Sequence, residues 1–156
     1  MPLARNMEKR RVEAGAVDDL VLLTQLTEEA VVSNLANTYA KGRIYTGIGP
    51  VLLSVNPFQT VPGLYAPSLA NKYRRKHQGE LAPHLFAVAE AAWKALLSAN
   101  LDQCILVSGE SGAGKTEAAK QVMGYVMSAC GERAGSAAPQ HLKNRLIESS
   151  PILEAM

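Results

Sequence analysis

Apolar residues return at helical spacing soon after Asp18 and Asp19. In LTEEAVVSNLANTYAKG, Val31, Val32, Leu35 and Tyr39 predict the inward stripe of a helix. Thr27 supplies a cap, Glu28 and Glu29 an acidic first turn and Gly42 a stop, so this helix should end near Lys41. The rhythm then changes. Ile44 to Thr46 and Val51 to Val55 are β-rich runs on either side of Gly47-Ile48-Gly49-Pro50, which reads as a hairpin turn, and Asn56-Pro57 closes the second strand.

QTVPGLYAP is a loop and SLANKYRRKH a short helix, with the charges of KYRRKH reading as a solvated face. Pro83 opens an alanine-rich helix to about Ser98, whose apolar positions cover more than one stripe and predict burial. CILVSG is a short unbroken apolar run, the mark of a strand covered on both faces. Behind it Lys115 to Met127 should be helical, with Ala118, Ala119, Val122, Met123 and Val126 inward; GERAGSAAPQ follows as a linker and HLKNRLIE as a last helix.

Composition narrows the classes. A chain of 156 residues suits one domain and could bury roughly 70% of its unfolded surface. Its formal charge of +2, from 16 Lys and Arg against 14 Asp and Glu, is too small to argue for nucleic acid, and no nucleic-acid partner is expected. Cys104 and Cys130 lack metal-ligand spacing and predict a reduced, intracellular compartment, with Cys104 a small buried side chain. No apolar run approaches the roughly 18 residues of a membrane span. Residues 1–14 lack a secretory core and are expected to be a flexible, solvated start.

The chemistry lies in ILVSGESGAGKTE. Gly109 to Thr116 satisfy G-x-x-x-x-G-K-T between an apolar run and a helix. A random chain of this length would match that pattern about once in 200 trials, before its context is demanded. A triphosphate presents crowded anionic oxygens, and backbone N–H groups can wrap them only where side chains do not intrude. Lys115 would then reach the β and γ phosphates, and Thr116 would offer its hydroxyl to Mg²⁺.

The filling of the loop is more specific than its glycines. SGESGAGKTEAAKQVMGYV closely resembles the phosphate loop and following helix of the myosin motor head, through Glu110, Ser111, Ala113 and Glu117 as well as the glycines Gly109, Gly112 and Gly114 and the Lys115-Thr116 pair. GAVDDLVLLTQLTEEAVVSNLANTY, RIYTGIGPVLLSVNPF and SSPILEAM resemble its flanking segments in order, so the likeness covers about Gly15 to Ala155. It implies an α/β P-loop NTPase motor-head fragment, with a partial mixed sheet flanked by helices, occupying residues 15–156. It further implies ATP and Mg²⁺ as ligands, and Asn56, Pro57 and Tyr65 against the adenine edge. Gln59 stands where the family often has lysine, and Pro62-Gly63-Leu64-Tyr65 is one residue longer than the common Pro-Ile-Tyr version.

Phosphoryl chemistry also needs a carboxylate near the metal and a group that orients water. In this family both come from switch segments that the resemblance puts after Met156, so no complete catalytic set is expected in residues 1–156. For the complete motor, the resemblance implies actin filaments as partner, with the binding surface outside these residues, and a cytoplasmic, cytoskeletal location. Two other readings stand beside it: a catalytically inactive nucleotide-binding fragment, and a small P-loop kinase, which the 108 residues before the loop disfavour.

Overall fold

The computed structural model describes residues 16–133. The predicted flexible start, most of the predicted linker and the helix expected over HLKNRLIE lie outside the described residues.

A 3₁₀ turn, Leu20–Leu22, follows Asp19, whose carboxylate accepts from the Val21 N–H at 3.1 Å. Helix α1 (Glu28–Ala40) starts at Thr27, whose hydroxyl accepts from the Ala30 N–H at 3.2 Å, and Lys41 caps its end. Its extent is the one the caps predict; its inward face is not. Val32 is 59% exposed, whereas Asn34 and Thr38 are buried. The reason is hydrogen-bond demand. Asn34 accepts from the Val17 N–H at 2.7 Å and donates to the Val17 carbonyl at 3.1 Å, satisfying both backbone groups as a neighbouring strand would.

Strands β1 (Tyr45–Ile48) and β2 (Val51–Ser54) pair antiparallel, Ile48 opposite Val51, around a two-residue turn in which Gly49 takes φ 58°. The other edge of β1 is covered by residues 18–19. The Gly47 N–H donates to the Asp18 carbonyl at 2.8 Å, in a single parallel bridge, and Gly49 N–H donates to the Asp19 carboxylate. Asp18 also pairs with Arg43.

Helix α2 (Pro67–Tyr73) is short, and α3 (Leu85–Ala99) is capped by the His84 ring nitrogen Nδ1, which accepts from the Phe86 N–H at 3.0 Å. Helix α4 (Lys115–Arg133) packs along α3 and outlasts its predicted end at Met127. Among its described residues the buried side chains are Val122, Tyr125 and Ala129, and the expected Ala118 and Val126 pack partly buried against the same core, so Tyr125 is a buried position the pattern missed. With Ile44, Tyr45, Tyr73, Leu85, Phe86 and Ala89, Val122 and Tyr125 form the core. One carboxylate is built into this packing: Glu90 accepts from the Tyr125 hydroxyl at 2.9 Å and from the Arg75 N–H at 2.6 Å. The basic run is partly structural too, since the Arg74 guanidinium lies 4.4 Å over the Tyr125 ring.

Two expectations fail at residues 101–109. CILVSG forms no strand; Leu106 is 88% exposed, and Cys104 is exposed rather than buried. A strand exists only through a ladder with a neighbour, and the described residues bring none to this run. In place of a partial mixed sheet, the described residues form one two-stranded antiparallel sheet flanked by helices. No described helix is long and apolar enough to cross a membrane.

Candidate functional site

The loop before α4, the turn after β2 and the segment through Tyr65 converge at the N-terminal end of α4. Each local conformation has a visible cause. In the loop, Gly112 and Gly114 take φ 78° and 93°, left-handed values that side chains resist. A Cβ at Gly109, itself at positive φ, would lie 3.1 Å from that of Ala113. The Ala113 N–H donates to the Glu110 carbonyl at 3.2 Å, closing a turn, and the Ala118 N–H donates to the Gly114 carbonyl at 2.9 Å as the helix begins.

Lys115 folds back over this turn. Its ammonium donates to the carbonyls of Gly109 at 2.9 Å and Glu110 at 2.8 Å, so a cation stands at the mouth of the loop beside the positive end of a 19-residue helix. Thr116, half-buried, follows in the first turn of α4, and Gly109 to Ala113 are exposed. Exposed backbone, a cation and a helix N-terminus together make an anion site of the kind that phosphate groups occupy. The chemistry of these groups would suit a magnesium–triphosphate, with the Lys115 ammonium available to phosphate oxygens and the Thr116 hydroxyl to the metal. Among the described residues, no group of three or more His, Cys, Asp or Glu could hold a metal by itself.

Beside the loop is a cavity of about 240 Å³, lined by Asn56, Pro57, Tyr65, Ala113, Gly114 and Glu117 among others. It is smaller than the roughly 300–1,000 Å³ of a drug-sized pocket, which suits a base whose phosphates lie along the loop outside. The structure thus brings all three residues expected at an adenine edge to one cavity adjoining the phosphate loop. Tyr65 reaches it despite the extra residue in its loop, and Gln59 lines it as well.

Sequence reasoning missed how these parts are tied together. Asn56 accepts from the Phe58 N–H at 2.8 Å, forming the turn that ends β2, and its amide nitrogen donates to the Gly112 carbonyl at 2.6 Å. Tyr65 is held by Tyr45, their hydroxyl oxygens 2.6 Å apart. Burial pushes the pKa of both phenols up, with the Glu117 carboxylate adding to the effect, so both hydroxyls stay protonated. Behind Tyr65, the buried His84 ring has its Nε2 3.0 Å from the Leu64 carbonyl, and burial pushes its pKa down to about 4. With Nδ1 accepting from Phe86, a neutral ring protonated on Nε2 satisfies both contacts. No periodicity marks Tyr45 or His84 for these tasks; only the alternation of strand faces and the position before a helix could have hinted at them.

Comparison with known proteins agrees with the family resemblance. The family model for the myosin head (motor domain) matches residues 17–156. The chain is 46% identical over 149 residues to myosin heavy chain IB of Acanthamoeba castellanii, covering 96% of the chain and 12% of that protein. It is 45% identical over 155 residues to human unconventional myosin-Ib, covering 96% of the chain and 13% of that protein. Against rat unconventional myosin-Ia it is 48% identical over 141 residues, covering 89% of the chain and 16% of that protein. The chain therefore spans only a small part of the length of these relatives.

Proposed function

The chain belongs to the myosin motor-head family, and we propose that residues 15–156 are the ATP-binding part of an actin-based motor, within a larger P-loop NTPase fold. Gly109 to Thr116 cradle the phosphates, Lys115 compensates their charge and Thr116 holds Mg²⁺. Pro57 and Tyr65, with the turn made by Asn56, border the adenine. The observation that carries this reading is the adjacency of the lysine-topped glycine loop to a base-sized cavity at one helix N-terminus.

Thr116 would hold Mg²⁺, which would supply positive charge against the phosphates. The chain's own residues do the positioning: the loop presents N–H donors, Lys115 exchanges two carbonyl acceptors for phosphate oxygens, and the hydrogen-bonded Tyr45 and Tyr65 phenols fix the wall of the base site. Hydrolysis needs groups beyond these, which the complete motor would supply, along with actin binding and a cytoskeletal location. Matching to the motor head over residues 17–156 leaves a small-kinase reading without support.

Calorimetric titration of the chain with magnesium ATP tests the assignment. Wild type should bind saturably, and Lys115→Ala should bind at least tenfold more weakly, because phosphate charge is left poorly compensated. Equal affinities would remove Lys115 from its role.

A further inference from the structure

We infer that Asn56 acts as a positioning residue for the phosphate loop rather than as a hydrogen-bonding contact to the base. The inference rests on the nucleotide-binding reading above and assigns one residue of that site a different task.

Both ends of the Asn56 amide are engaged. Its oxygen accepts from the Phe58 N–H at 2.8 Å and its nitrogen donates to the Gly112 carbonyl at 2.6 Å, across 56 positions of sequence. A base contact would have to use the second N–H or the second oxygen lone pair of an amide whose orientation these two bonds already fix. The acceptor at Gly112 has its own significance. A trans peptide points its C=O and the following N–H in opposite directions, so holding the Gly112 carbonyl toward Asn56 fixes the whole plane between Gly112 and Ala113. The Ala113 N–H, directed the other way, reaches the Glu110 carbonyl at 3.2 Å.

Within the loop that plane is held by the bond from Ala113 to Glu110, and Gly112, at φ 78° with open space where a Cβ would be, adds no side chain to limit its rotation, so a contact from outside the loop matters. A flipped plane would turn a carbonyl dipole toward the region an anion must enter. The other hydrogen bonds of the loop described above arise within residues 109–118, and two of them come from Lys115, the group that leaves its carbonyls when phosphate arrives. Asn56 reaches the loop from the end of β2 and needs no such exchange, so the restraint persists in the bound state.

The test uses the full chain with two ligands, magnesium ATP and magnesium tripolyphosphate, which lacks a base. The variants are Asn56→Ser, which keeps an acceptor for the turn but cannot span to Gly112, and Asn56→Asp, which keeps the acceptor and loses the donor. Near-ultraviolet circular dichroism checks that each remains folded. A positioning role predicts that both ligands weaken in each variant by the same factor, about tenfold for Asn56→Ser, leaving the ratio of the two affinities at its wild-type value. Weakening of ATP alone would make Asn56 a base contact and overturn the inference. Unchanged affinities for both ligands would overturn it also. If wild type binds neither ligand, the nucleotide reading itself fails, an outcome distinct from the other two.

Discussion

His84 shows most clearly how one side chain can serve the fold and the site together. It caps α3 through Nδ1, contacts through Nε2 the carbonyl of Leu64, the residue before Tyr65, and stacks with Tyr73 at 5.2 Å between ring centroids. Its pKa falls from 6.5 to about 4 because burial penalises the charged ring. The unfolded chain therefore takes up a proton near pH 6.5 that the folded chain refuses until about pH 4. Stability from this residue is complete above pH 6.5, declines as pH falls and levels off below about 4, a loss of about 3 kcal/mol. Denaturant unfolding between pH 7.5 and 4 should show the decline, and His84→Asn, which keeps a capping side chain, should flatten it. At Arg75 the expectation has the opposite sign. Its φ of 60° is strained for a non-glycine residue, so Arg75→Gly should be neutral or stabilising by about 0.5–1 kcal/mol, read from the urea midpoint.

Among the elements, those set by local chemistry could be read before any coordinates. The Thr27 cap with its acidic first turn marks α1, and Gly49-Pro50 between β-rich runs marks the hairpin. Thr27→Ala should cost about 1 kcal/mol of stability in the same unfolding assay. What depends on a distant partner was not legible. The buried face of α1 is polar because Asn34 serves the backbone of Val17, which no periodicity announces. Helix α4 continues through Gly124 and Gly131 because its packing against α3, with Tyr125 and Ala129 buried, outweighs a propensity cost of about 1 kcal/mol per glycine. Glu90 sits in that interface as an acceptor for two donors. Glu90→Ala removes it from both and should destabilise the chain by about 2–3 kcal/mol, measurable by thermal or urea unfolding.

For the whole molecule, the apolar run before the phosphate loop matters most. Leu101, Leu106 and Val107 are exposed in a segment without regular secondary structure. A fully buried leucine contributes about 1.5–3 kcal/mol relative to an exposed one, so this run carries unspent apolar surface and a backbone paired in no described sheet, a combination that favours association. Sedimentation of the chain should reveal concentration-dependent self-association that Leu106→Asp reduces; a monomer at all concentrations would contradict this. The candidate site was the more legible half of the molecule: its glycines, Lys115 and Thr116 are consecutive, so their chemistry survives in sequence order. The latch from Asn56 to Gly112 and the Tyr45–Tyr65 pair exist only because separate elements meet. The central claim, that loop and cavity form one nucleotide site, is tested most directly by titrating magnesium ATP while following backbone amide resonances. Residues 109–116 and those of the 56–65 segment that have an amide proton should shift together with one saturation curve. Saturable shifts confined to other regions, or none in either segment, would contradict the account.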